Sequence, residues 1–184
     1  MEQEINTKKK ISIARNSLNY GIVIGIIMVI ISLLLYVFNL SDQTFVQYLS
    51  LAIIIAGIII GILNYRNKIN GGFIAYGQSL GSGVLTGLFA AIVLSVYTII
   101  FFKFIDPDMV NVILKKAEEN MRDRNQNMTD DQIDMAMSYT RKFMNPYIMA
   151  ITSTIWLTFM SFIASLIISI FTKKTDKSFE SNFR

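Results

Sequence analysis

The chain has 184 residues, 53% of them hydrophobic and 16% charged, with 17 Lys and Arg against 13 Asp and Glu for a formal net charge of +4. It contains neither cysteine nor histidine. Disulfide staples are therefore excluded, and zinc, haem and iron–sulfur sites lose their usual ligands. A mean hydropathy of +0.48 fits a small membrane bundle better than a soluble domain of this length.

Charge is distributed unevenly. No Lys, Arg, Asp or Glu falls within Leu18–Leu40, Gln43–Tyr65, Ile69–Phe102 or Tyr147–Thr172. Uninterrupted apolar runs of this length are the signature of helices whose solvent is lipid.

Residues 1–17 form a basic tail, with Lys8, Lys9, Lys10 and Arg15 against Glu2 and Glu4. The first span follows at about 18–40. Between Leu18 and Phe38 it holds 14 Ile, Leu, Val or Phe residues, which together favour insertion by about 6 kcal/mol. A cleavable signal peptide would be shorter and end in small residues, whereas this run ends in Tyr36-Val37-Phe38-Asn39-Leu40. The second span is expected at about 45–65. The third apolar stretch has 34 residues and would reach about 51 Å as one helix, against a hydrocarbon core of about 30 Å. The spacing therefore predicts a span at 80–102, preceded by an interfacial turn or tilted approach helix over Phe73–Ser79, after the Gly71-Gly72 break.

Residues 103–146 read as two amphipathic helices. Asp106-Pro107 supplies an N-cap followed by proline at the first helical position, with Met109, Val112, Ile113 and Lys116 next at helical spacing. Thr129-Asp130-Asp131-Gln132 is a capping box, ahead of a face of Ile133, Ala136, Met137, Thr140 and Met144. That face has three possible covers: the lipid surface, the bundle or a partner. Asn145-Pro146 starts the fourth span, at about 147–171, and residues 173–184 form a second basic tail. Seven of the eight tyrosines (all but Tyr139) lie towards span ends, as an interfacial aromatic belt requires.

Basic and neutral connections alternate. The second connection carries Arg66 and Lys68 with no acid; the first holds only Asp42, and the third has seven bases against eight acids. The positive-inside rule then places both termini and the Arg66–Gly72 loop in the cytoplasm, and Ser41–Thr44 and Lys103–Pro146 outside. The basic balance is thus a topology signal and does not call for a nucleic-acid partner; the tails suit anionic headgroups.

Small residues form stripes. Gly21, Gly25, Gly57, Gly61, Gly83 and Gly87 stand in G-x-x-x-G pairs, as do Gly77 and Gly81, while the fourth span carries Thr154, Thr158, Ser161, Ser165 and Ser169. Apolar burial gives helices little drive to associate in lipid, so close backbone approach and interhelical hydrogen bonds must supply it. The glycines with Ser161 and Ser165 are therefore expected to be packing residues. The competing reading is a weakly polar path for a neutral solute along Thr154, Thr158 and Ser161.

Several chemistries find no support. Gly77-Gln78-Ser79-Leu80-Gly81 matches a nucleophile elbow in letters, but it lacks a histidine base and the strand–turn–helix setting. No intramembrane carboxylate or base is present for ion coupling, and there is no arginine ladder. A small dimeric multidrug exporter would hold a glutamate in its first span, where this chain has only Asn19 and Ser32. Asp106, Asp108, Asp130 and Asp131 read as cap and first-turn residues favoured by the helix dipole, with weak calcium binding as the alternative. No nucleotide loop or EF-hand spacing appears.

The run Gly71-Gly72-Phe73-Ile74-Ala75-Tyr76-Gly77-Gln78-Ser79-Leu80, with Ile105-Asp106-Pro107-Asp108, Asn19-Tyr20-Gly21 and Lys173-Lys174, resembles an uncharacterised bacterial integral-membrane family known only as a domain of unknown function. The resemblance covers roughly Ser12 to Thr175. It implies four spans, bacterial origin and inner-membrane residence, and transfers no substrate or catalytic residue.

The expectation is an all-α, four-helix integral-membrane bundle, N-in and C-in, with an external helical hairpin between spans three and four. The expected role is non-enzymatic, accessory or structural, with no cofactor, metal or nucleic acid. Its partners would be the bilayer and a second copy or another membrane protein. A neutral-solute facilitator and a lipid-acting enzyme are the alternatives.

Overall fold

The computed structural model describes residues 12–40, 44–124 and 128–174. The tail residues Lys8–Lys10 and Lys177–Arg184, and Asp42 in the first connection, lie outside them. The described residues form six helices: α1 (Ile13–Val37), α2 (Thr44–Asn64), α3 (Tyr76–Ile100), α4 (Met109–Arg124), α5 (Asp130–Phe143) and α6 (Pro146–Thr172). Single π-helical turns, Tyr65–Ile69 and Phe101–Ile105, extend α2 and α3. Extended pairing among these residues amounts to one bridge, Ile74 with Lys174. The fold is an all-α bundle.

α1, α2, α3 and α6 are each long and apolar enough to cross a bilayer, yet only 17–28% of each span's most apolar window is buried. Ile30, Leu34, Ile60, Val96, Ile155, Trp156 and Phe171 are all exposed. Water would not tolerate so large an apolar surface, whereas lipid requires it. The chain is a multi-pass membrane protein.

The helix ends follow from local chemistry. Ser12 caps α1, its hydroxyl accepting from the Arg15 N–H. The helix therefore starts before Leu18 and takes Asn16 and Ser17 into its first turns. It ends in a Schellman motif: Asn39 (φ 55°) donates to the Tyr36 carbonyl and Leu40 to that of Leu35, with asparagine at the left-handed position. Gly71 (φ 67°) and Gly72 (φ 91°) make the break before α3, a conformation that a side chain would strain. The expected separate element over Phe73–Ser79 is not formed, because helix α3 already begins at Tyr76. The Gln78 side chain accepts from the Ala75 N–H, so Tyr76–Ser79 become the first turn. Helix and π turn together run 30 residues, Tyr76–Ile105, a length that needs tilt or projection beyond the hydrocarbon.

The chain divides into two compact units, residues 1–91 with 157–184, and residues 92–156. The core of the first is Ile24, Ile54, Ile58, Ile62, Tyr65, Ile74, Ala90 and Ile168. Tyr65 is only 5% exposed, so it is a core ring and not part of an interfacial belt.

In the second unit, Asp106 accepts from the Met109 N–H at 3.1 Å and so satisfies the first amide of α4; the helix begins at Met109, leaving Pro107 in the preceding turn and not at the first helical position. Val112 is exposed, as is Lys116, and Ile113, Leu114 and Ala117 are the more covered positions. The inner face of α4 is thus rotated from the one the spacing predicts. α5 carries the expected capping box, Thr129 and Gln132 exchanging bonds with each other's backbone, and buries Ile133 and Met137. Arg122 pairs along α4 with Glu118 at 3.0 Å and joins the two helices through Asp130 at 2.8 Å. These hydrogen bonds, Asp130's foremost, hold its guanidinium pKa above the usual arginine value. Asn145 caps α6 by accepting from the Tyr147 N–H at 2.9 Å.

Thr129→Ala removes the capping hydroxyl and is expected to cost about 1 kcal/mol. Hydrogen exchange of the full chain in detergent should speed up several-fold at the first α5 amides and stay unchanged in α6.

Candidate functional site

Polar side chains within the first unit gather where α1 starts, α2 ends, α3 starts and α6 ends. Asn16, 3% exposed, donates to the Gly61 carbonyl at 3.0 Å and accepts from the Asn64 amide at 3.0 Å. Ser17 lies 3.0 Å from the Ser82 carbonyl and 3.2 Å from its hydroxyl. Ser79 and Thr172 share a hydroxyl–hydroxyl bond of 2.7 Å. Arg66 donates to the Thr172 carbonyl at 3.0 Å, placing a cation on the negative end of the α6 dipole. The Ile74–Lys174 bridge adds a pair of 2.9 Å backbone bonds beside it. Four helix pairs, α1–α2, α1–α3, α3–α6 and the π turn of α2 with α6, are thereby tied by bonds that lipid cannot replace.

This pattern also fixes relative direction. The four spans alternate, so Arg15, Arg66, Lys68, Lys173 and Lys174 share one end, and the described residues of this unit include no Asp or Glu.

Deeper in the unit, glycines receive neighbouring side chains. A Cβ at Gly83 would overlap Ser165 Oγ and Cβ, and one at Gly87 would overlap Ser161 Oγ and Cβ. A Cβ at Gly21 would stand 2.5 Å from Phe89 Cβ and 2.7 Å from the Thr86 carbonyl oxygen. At Gly57 it would overlap Cδ1 and Cγ1 of Ile24, a buried core side chain, and at Gly61 it would only touch Tyr20, at 3.4 Å. Gly25 is buried in α1. Gly77 and Gly81 face open space; their spacing matches the other pairs, but nothing fills it.

Of the residues considered for a polar path, Thr154 returns its hydroxyl to the Ala150 carbonyl at 2.8 Å. Ser161 sits on Gly87, fully buried. The hydroxyls of Thr158, Ser161, Ser165 and Ser169 are buried and have no hydrogen-bond partner among the described residues.

One groove in this unit has a volume of about 410 Å³ and is lined by Asn16, Asn19, Tyr20, Val23, Asn64 and Ile69. Asn16, Asn19, Tyr20 and Val23 stand at i, i+3, i+4 and i+7 on one face of α1, and Asn64 with the π turn supplies the opposite wall. Sequence reading missed Asn16 because it precedes the apolar run. The available signal was an asparagine at the start of one span and another, Asn64, at the end of the next.

Residues 19–174 match the protein family of unknown function DUF4199, and the chain belongs to this family. No curated protein and no solved structure matches it.

The glycine contacts predict a graded alanine series, read as thermal stability in detergent. Gly21→Ala meets backbone and should destabilise by about 2 kcal/mol or more, Gly57→Ala by about 1–2 kcal/mol because Ile24 must repack within the core. Gly81→Ala, in open space, should be neutral or stabilise by about 0.5–1 kcal/mol through helix propensity.

Proposed function

We propose that this protein is a non-enzymatic, structural or accessory component of the bacterial inner membrane, with both termini on the cytoplasmic side. The observation that carries the reading is how the spans use their polar and small residues. Asn16, Ser17, Ser79, Ser82 and Thr172 bond to neighbouring helices, while Gly21, Gly83 and Gly87 are filled by side chains or backbone from other helices. Such side chains hold helices together in lipid, and none carries a charge suited to ion coupling. The orientation is supported by five cations at one end of the first unit with no acid among its described residues, the bias that keeps an end in the cytoplasm. The bilayer is the first partner; a second copy or another membrane protein is the second.

A facilitator for a neutral solute is the competing reading, favoured by the unpartnered hydroxyls of Thr158, Ser161, Ser165 and Ser169. Against it, Ser161 and Ser165 fill the space over Gly87 and Gly83.

Liposomes containing the full chain should show water and glycerol permeability equal to protein-free liposomes. Flux above that background, abolished by Ser161→Leu in a variant that keeps its fold, would replace the structural reading with the facilitator. Reporter fusions at both termini should give cytoplasmic signals, and insertions near Asn120 the opposite one. Cytoplasmic exposure of Asn120 would overturn the orientation.

A further inference from the structure

We propose that the groove between α1 and the end of α2 is a binding site for one anionic phospholipid. The groove is graded along the helix axis. Asn16 and Asn19 lie towards the start of α1, with Tyr20 and Val23 following deeper in the span. From Asn16 to Val23 the helix rises about 10 Å, the distance over which a lipid passes from headgroup to acyl chain. Arg15 stands one turn above Asn19 on the same face, and Lys68 directly precedes the lining residue Ile69. A ligand entering here meets cations first, then amides, then an apolar wall.

The polar groups are not all consumed by the fold. Asn16 is committed to Gly61 and Asn64 and forms a fixed floor. Neither the Asn19 amide nor the Tyr20 hydroxyl has a hydrogen-bond partner among the described residues, and Asn19 is exposed. An amide at headgroup depth can donate to a phosphate or ester oxygen, and Tyr20 presents a ring to the chain with its hydroxyl towards the polar layer. Charge selects the sign of the ligand. The described residues of this unit carry Arg15, Arg66, Lys68, Lys173 and Lys174 and no acid, so a headgroup with net negative charge is attracted and none is repelled. About 410 Å³ accommodates a glycerophosphate headgroup and the first part of one chain, the remainder lying along the exposed Val23, Ile26 and Ile30.

The test is native mass spectrometry of the full chain in mild detergent, titrated with phosphatidylglycerol, phosphatidylcholine or glycerol phosphate. The wild type should hold one saturable phosphatidylglycerol, bind phosphatidylcholine about tenfold more weakly, and take up no glycerol phosphate. Asn19→Leu removes a bond to a charged group and should weaken phosphatidylglycerol about tenfold. Val23→Trp, at a position 54% exposed, fills the apolar half without touching the core and should weaken it similarly. Lys115→Gln, in the other unit, should leave binding unchanged. Unaltered binding in both Asn19→Leu and Val23→Trp would overturn the site, as would an equal loss in Lys115→Gln. Equal affinity for phosphatidylcholine would overturn the anionic specificity, and tight glycerol phosphate binding would overturn the lipid as ligand.

Discussion

Helices in a hydrocarbon solvent gain almost nothing by hiding leucine or isoleucine from it, and every other feature of this bundle follows from that constraint. Ile58 and Ile62 are buried, but their burial exchanges lipid contact for protein contact and supplies only the difference in packing. What must hold the spans together is close backbone approach and hydrogen bonding. Gly21 lies close to the Thr86 carbonyl, and Ser165 and Ser161 fill the sites where Gly83 and Gly87 lack a Cβ. The exposed remainder of each helix is left to branched and aromatic side chains, because the solvent accepts them.

Hydrogen bonding between helices in the first unit is concentrated at its basic end, and this has an energetic reason. Amides and hydroxyls are cheapest where the bilayer grades into water, and there they can be spent on tying helix starts to helix ends. Asn16 bridges to Gly61 and Asn64, Ser79 to Thr172, and Arg66 closes the last turn of α6. The same position makes leftover polar groups useful. Asn19 and Tyr20 sit beside this network without belonging to it, which is why a groove with a structural floor can also present a binding wall. Membership of DUF4199 supplies no activity, so the physical reading of these residues stands on its own.

Within the second unit the two helices between the spans are organised by charge and capping instead. Helices α4 and α5 are capped by Asp106, Thr129 and Gln132 and joined through the Arg122–Asp130 pair. Here sequence periodicity was a good guide to existence and capping and a weaker one to rotation. Val112 is exposed where its spacing placed it inward, because which residues of a short helix face inward depends on the helix it packs against. Tyr65 shows the same limit: its position near a span end suited the aromatic belt, but the π turn at that point carries the ring into the core.

Four charge-free apolar runs, the basic connections and the capping residues were enough to determine an all-α membrane protein with four spans and a helical pair between the third and fourth. These are one-dimensional properties, since insertion depends on the composition of a segment and capping on residues three or four apart. Which glycines are filled and which face open space was not legible, because Gly77 and Gly81 have the same spacing as Gly83 and Gly87. Nor was the groove, whose walls come from residues 16–23 and 64–69. Both depend on how one helix is rotated against another, and that rotation is chosen by the fit of all the spans together.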